Sequence, residues 1–237
     1  MIGVIGGNGV AATNRLCQLI EEKRTRSGAF RDAHHPEMIV WQATKAPSRS
    51  MFLEGKGADW RPDYIRIAKG LVSLGCSKLC MCCNTAHFAI EDIERESGVQ
   101  FINIIREVAK ECKRVAGKRI GILASDGCVR FDLYGKFFRQ IYPEAQLIYP
   151  SEEMQKLVTK GICNAKSLLR YSGSGDSQLP RNLFLNVINH LIDRCCDTVV
   201  LGCTDINACF QLDLHDRVKV VDSLEILASV IADEKED

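Results

Sequence analysis

Short apolar runs alternating with longer helical patterns limit this chain to one architectural class. The runs are "IGVIG" from Ile2, "EMIVWQA" from Glu37, "KLCMCC" from Lys78, "VQFINI" from Val99, "RIGILA" from Arg119, "AQLIYP" from Ala145, "TVVLGC" from Thr198 and "VKVVD" from Val218. They are apolar almost throughout, as strands are when both faces are covered. Between them, segments such as Ala11–Glu22, Pro62–Leu74, Glu107–Val115, Gln178–Arg194 and Ser223–Ala232 carry apolar residues at helical spacing. Strands alternating with helices predict an α/β fold of mostly parallel sheets flanked by helices.

The chain also repeats itself. "IGVIGGNG" from Ile2 returns as "IGILASDG" 118 residues later. "LVSLGCSKLCMCCNT" from Leu71 returns as "LIDRCCDTVVLGCTD" 120 residues later, and "VQFINIIRE" from Val99 as "VKVVDSLEI" 119 later. Three matches in one order at nearly one offset predict two pseudo-symmetric lobes. The second match sets Cys203 on Cys83 and Cys196 on Cys76, and it leaves Cys80 opposite Val200 and Cys82 opposite Gly202. Cys83 and Cys203 each close an apolar strand and precede a polar turn. Ligands of open α/β sheets bind beyond the carboxyl ends of strands, so two facing lobes would present these thiols to one cleft.

Composition narrows the partner. With 31 Lys+Arg against 30 Asp+Glu the formal charge is +1, so no basic field points to nucleic acid. A small molecule or a second copy of the chain is the expected partner. No run approaches the roughly 18 apolar residues of a membrane span. The 12 cysteines would suit an oxidised secreted protein, but MIGVIGGNG opens as a strand and turn rather than as a signal peptide. The expectation is a cytoplasmic protein whose thiols are free and mostly packing residues.

Three chemistries compete for the "CMCCNTAH" stretch and the opening turn. Cys80, Cys82, Cys83 and His87 make four metal ligands on paper, but strand alternation turns Cys83 away from the other two thiols; no metal is expected. "GNGVAA" from Gly7 fits a dinucleotide turn, but "QATKAP" ends the next strand without the carboxylate a nucleotide ribose needs. The N–H groups of Gly6, Gly7 and Gly9, with Asn8 as a side-chain donor, could still hold an anion at a helix N-terminus, or simply form a capped tight turn. A single nucleophilic Cys83 helped by His87 would leave Cys203 without a task.

"CNTAH" at Cys83–His87 and "GCTDI" at Gly202–Ile206 resemble the paired signatures of the aspartate/glutamate racemase family. "IGVIGGNGVAAT" resembles that family's opening strand and turn. "APSRS" followed by "LEGKGADWRP", and "SEEMQKLVTKGI" from Ser151, are similar to its aspartate racemase branch. The resemblance covers nearly the whole chain. It implies two lobes with the active site between them, residues 1–98 plus 208–237 forming one and residues 99–207 the other. "VKVVD" and the last helix would then return to the first lobe. It further implies a racemase of L- and D-aspartate, or of a related acidic amino acid, that needs neither pyridoxal phosphate nor any other cofactor, and a homodimer.

By the same resemblance, Cys83 and Cys203 exchange protons with the substrate Cα. Asn84, Thr85 and Thr204 hold its α-carboxylate and ammonium, and Arg49 pairs with a carboxylate. Thr85 and Thr204 read equally as helix caps, and Arg49 as an exposed loop arginine. The branch carries a substrate-binding lysine after "TKGI"; the simplest alignment puts Ser167 there, one residue past Lys166. Asp205 stands where the aspartate branch often has glutamate and glutamate racemases have histidine. It would orient Cys203, relay a proton, or serve as a helix-start acid. The chemistry suits two thiols, since one takes the Cα proton from one face while the other returns a proton to the opposite face. Thiols titrate near 8.5, so the base must be tuned. The alternatives are a glutamate racemase, an isomerase or decarboxylase using one cysteine on another acid, and a binding protein that keeps the cleft.

Overall fold

The computed structural model describes residues 1–115, 117–172, 176–209 and 217–234. Every expected strand forms. β1 (Ile2–Gly6), β2 (Met38–Gln42), β3 (Lys78–Met81) and β4 (Phe101–Ile102) make one sheet in the order β2-β1-β3-β4. β5 (Arg119–Ala124), β6 (Gln146–Ile148), β7 (Thr198–Gly202) and β8 (Lys219–Asp222) make a second in the order β6-β5-β7-β8. All neighbours are parallel. Helices α1 (Val10–Arg26), α3 (Arg61–Ser73), α4 (Ile90–Ser97), α5 (Ile104–Val115), α7 (Leu133–Ile141), α8 (Glu152–Ala165), α9 (Pro180–Asp193) and α11 (Ser223–Asp233), with the short α2 (Arg49–Leu53), α6 (Asp126–Arg130) and α10 (Thr204–Cys209), flank the sheets. Among the described residues no helix is long and apolar enough to cross a membrane.

The sequence repeat is a structural one. Ile2 of β1 pairs with Lys78 of β3, and Ile120 of β5 pairs with Thr198 of β7; Leu79 pairs with Phe101, and Val199 with Val220. These registers reproduce the sequence offsets. The packing behind them repeats too. A methyl group at Gly3 would touch Leu71 and the Cys76 sulfur, each at 3.1 Å, and one at Gly121 would touch Leu191 at 3.0 Å and the Cys196 sulfur at 3.3 Å. Each central strand thus carries a glycine where the turn leading into the next strand lies flat against it. Cys76 and Cys196 are buried packing thiols.

The turns themselves share a backbone course: Cys76 N–H donates to Leu71 O and Cys196 N–H to Leu191 O, both at 3.1 Å. The residue before each cysteine is left-handed, Gly75 at φ 95° and Cys195 at φ 61°. Glycine takes that conformation freely; a residue with a Cβ is strained there.

The lobes are tied together by exchanged helices. Asn103 caps α5, accepting from the N–H groups of Ile105 and Arg106 at 3.1 and 3.0 Å. Asp222, at the equivalent place, caps α11 by accepting from Leu224 and Glu225 at 2.8 and 3.2 Å. α5 leaves the first sheet and lies against α7, while α11 leaves the second and lies against α1 and α5. The larger core cluster therefore runs through both lobes, from Val4 and Leu79 to Tyr134 and Leu227, and a smaller one sits beneath α8 and α9 around Phe184.

One expectation needs correction. "VKVVD" does not return to the first lobe: β8 pairs with β7 in the second sheet, and only α11 crosses. Likewise β4 belongs to the first sheet, so a division at residue 98 cuts ahead of one of its strands. The reason is register. β4 pairs in parallel with the open edge of β3 and β8 with that of β7, so each stays in the sheet of the strand before it, and only the helix that follows packs across. Residues 173–175, within the stretch expected to be a loop, and 235–237, in the acidic tail, lie outside the described residues; Leu168–Tyr171 form a 3₁₀ turn.

The left-handed Cys195 side chain is exposed, so little packing is lost by removing it. Cys195→Gly is expected to raise stability by about 0.5–1 kcal/mol, read as a higher urea midpoint at unchanged m-value.

Candidate active site

The two cysteine turns emerge at equivalent points of the two sheets. Beyond Lys78, β3 is buried, and β7 is buried throughout. Cys80 and Cys82 have no exposed surface. Cys83 and Cys203 are half-buried and line one cavity of about 60 Å³. A space of that size holds about four to six waters, the bulk of a small amino acid. Asn8, Arg49, Asn84, Thr85, Lys166, Thr204 and Asp205 line it too. Every expected substrate-binding position therefore reaches the cavity, brought there from turns far apart in the chain.

Hydrogen bonds across the lobes fix the walls. Thr204 Oγ1 donates to Cys82 O at 3.3 Å, which leaves its oxygen as an acceptor. Tyr134 donates its hydroxyl to Asn84 Oδ1 at 2.9 Å, and Asn84 Nδ2 donates to Ser223 Oγ at 3.0 Å, leaving one amide N–H unspent. The Thr85 and Ser125 hydroxyls lie 2.8 Å apart. Two further contacts mirror each other. A methyl group at Gly127 would meet Thr85 Cγ2 at 3.2 Å, and one at Gly9 would meet Asp205 Oδ1 at 2.5 Å. The side chain two residues after each cysteine thus seats on the glycine of the opposite lobe's first turn.

In that first turn one of the three glycine N–H groups is already spent. Gly7 is left-handed at φ 77° and its N–H is taken by Thr13 Oγ1 at 3.0 Å. The turn also delivers Asn8, which is buried, donates Nδ2 to Tyr64 Oη at 2.6 Å and keeps an unpartnered Oδ1. Arg49 opens α2 after the Ser48 cap and is half-buried. It donates to Pro47 O and Asn8 O, both at 3.2 Å, while its Nε is buried with no partner among the described residues. Among the described residues the site thus holds a buried acceptor, Asn8 Oδ1, and a buried donor, Arg49 Nε, that have no partner.

His87 does not reach the thiol. Its Nδ1 lies 2.9 Å from Cys83 O and its Nε2 accepts from Ile104 N–H at 3.3 Å. Burial pulls its pKa down to about 4, so the ring is neutral and clips the Cys83 turn to the start of α5. Among the described residues no three His, Cys, Asp or Glu side chains converge as a metal would require.

Lys166 caps the C-terminus of α8, and its Nζ meets Asp205 Oδ2 at 3.1 Å. Ser167, the residue a simple alignment favours, spends its hydroxyl on Asn164 O and Leu169 N–H. Burial opposes the Lys166 ammonium, but Asp205 and Cys203 more than offset this and raise its pKa above the usual range. Burial, then the Asp205 carboxylate with Oδ2 4.0 Å from Sγ, pushes the Cys203 thiol well up, against the pull of Lys166. Cys203 accordingly holds its proton at neutral pH.

A family model, that of the Asp/Glu/Hydantoin racemases, matches residues 2–231. The chain belongs to that family. It is an isomerase of the racemase type. It is 23% identical to the broad-specificity amino-acid racemase RacX of Bacillus subtilis over 232 residues, 96% of this chain and 95% of that protein. It is 26% identical to a glutamate racemase of Geobacter metallireducens over 174 residues, 71% of this chain and 60% of that protein. An aspartate racemase of Picrophilus torridus superposes with a TM-score of 0.78 at 24% identity, covering all of this chain (100%) and 95% of that one. An aspartate racemase homologue of Pyrococcus horikoshii superposes with 0.69 at 22% identity, covering 98% and 99%. At such identities the superpositions carry the fold alone.

Several residues of this racemase's cavity escape a reading of its sequence. Ser48, Ser50, Ser125 and Ile162 line the cavity, and Tyr134 and Ser223 brace Asn84 from behind. Ser48, Ser50 and Ile162 lie inside motifs that carry the family resemblance, and Ser125 and Ser223 inside the repeat, but none of these gave a reason to single out the residue.

Two outcomes follow. The unfolded chain takes up the His87 proton near pH 6.5, the folded one only near 4. Stability therefore falls as pH drops through that window, by about 3 kcal/mol for this group. His87→Gln should remove that component, seen as the difference between variant and wild-type urea midpoints from pH 7 to 4. Gly9 is extended (φ 168°), so alanine suits its backbone but collides with Asp205. Gly9→Ala should cut kcat/KM by about 10²-fold with little loss of thermal stability.

Proposed function

We propose that this racemase interconverts the enantiomers of a small acidic amino acid, aspartate foremost, through proton exchange between Cα and the thiols of Cys83 and Cys203. The observation that carries the reading is that the thiols, from equivalent positions of two pseudo-symmetric sheets, line one cavity. The substrate Cα sits between them. A thiolate on one side takes the Cα proton, the electron pair spreads into the α-carboxylate, and the thiol on the other side gives up its proton. The product leaves with inverted configuration and the enzyme with its two protonation states exchanged. Cys203 rests as the acid, because burial and Asp205 hold its proton.

Charge favours an acidic ligand. Lys166 is paired to Asp205, which leaves Arg49 as the cavity's cation open to one carboxylate of a dicarboxylic amino acid. The unspent Arg49 Nε and Asn84 N–H suit carboxylates, while Asn8 Oδ1 and the Thr204 oxygen suit the ammonium. A second reading has its own support. Lys166 is already paired to Asp205 and Ile162 adds an apolar wall, which would accommodate neutral side chains; the Bacillus relative is named a broad-specificity amino-acid racemase.

A panel of acidic and neutral L-amino acids, incubated in D₂O and followed by chirality and Cα deuterium, separates the readings. With two bases, deuterium enters the product before it appears in remaining substrate. Cys83→Ala and Cys203→Ala should each lower racemisation by about 10²–10⁴-fold. Cys82→Ala should leave it close to wild type; equal loss there would sink the two-thiol assignment.

A further inference from the structure

A second cavity of about 590 Å³ adjoins the thiol cavity and shares two residues of its lining, Lys166 and Asp205. The ion pair they form borders both spaces. Its halves differ in freedom. The Asp205 side chain is 8% exposed, sits in α10 and seats on Gly9; that of Lys166 is 49% exposed, on a long stem at the end of α8. Asp205 is the fixed post and Lys166 the leaf that can swing.

The far side has a chemical character of its own. Val10, Ala11 and Ala208 give it apolar wall. Arg170 lines it as well, its guanidinium 4.6 Å from the Tyr171 ring centroid and its Nε buried without a partner among the described residues. The second cavity thus offers both apolar surface and a guanidinium.

We infer that the second cavity is a side-chain annex of the active site, entered when Lys166 swings off Asp205, and that it admits acidic amino acids with side chains longer than that of aspartate, their distal carboxylate held by Arg170. This rests on the reading of the thiol cavity as the place where Cα is deprotonated. The short acid ends at Lys166 on the near side; the long acid displaces Lys166 and ends at Arg170. The length limit is then set by an ion pair that can open, not by packed wall.

The test uses the full-length enzyme and the series L-aspartate, L-glutamate and L-2-aminoadipate, with kcat/KM read from Cα deuterium exchange. Wild type should exchange all three. Arg170→Ala should lower kcat/KM for 2-aminoadipate by about ten-fold or more while aspartate stays within about two-fold. Ala11→Phe, which fills the annex from α1, should do the same; thermal unfolding checks that both variants fold. Failure of wild type to exchange 2-aminoadipate, or an equal fall on long and short acids in both variants, overturns the annex while aspartate exchange leaves the thiol reading standing. Absence of exchange with every acid overturns both.

Discussion

The site depends on two mirrored contacts in which each lobe lays the side chain following its cysteine turn onto a glycine of the other lobe. Thr85 rests on Gly127 and Asp205 on Gly9. Neither glycine is needed for its own dihedral angles in that role; Gly9 is extended. What matters is the missing Cβ, which lets the turns approach closely enough to set two sulfurs on one small cavity. The exchanged helices α5 and α11 hold this approach from outside, and the core they share leaves no plane along which the lobes part without exposing apolar surface.

Within that frame the symmetry is broken where chemistry needs it. The residue after Cys83 is Asn84 and that after Cys203 is Thr204; two after, they are Thr85 and Asp205. One thiol therefore has a hydroxyl nearby, the other a carboxylate and its paired ammonium. A backbone built for equivalence thus sets its two thiols in unlike surroundings, as the proposed two-thiol exchange asks of groups with opposite roles. His87 has no histidine counterpart in the repeat, where Asn207 takes its place, and it serves the frame rather than the reaction.

Much of this was legible. The period of apolar residues fixed strands and helices because burial on both faces permits little else, and the offset repeat placed Cys83 opposite Cys203 because equal registers demand equal spacing. Lys166 was harder. Alignment by letter favours Ser167, and only the path of the α8 terminus, with Ser167 turned back onto the backbone, sends the lysine inward. Tyr134 and Ser223 left no signal, since a tyrosine on an amphipathic helix and a serine at a helix start have ordinary explanations. At the glycine turn the sequence leaves three N–H groups without an assigned acceptor, and only the fold shows that Thr13, one turn into α1, takes that of Gly7.

By itself the sequence determined the element types, the twofold repeat and the pairing of two cysteines at strand ends, because those follow from local periodicity and spacing along the chain. The tertiary structure alone decided which helix crosses between lobes, that the two thiols share a cavity, and that Lys166 closes on Asp205. Each of these joins residues that are distant in sequence, and their meeting is set by how two curved sheets and their helices fill space, a property no single segment carries.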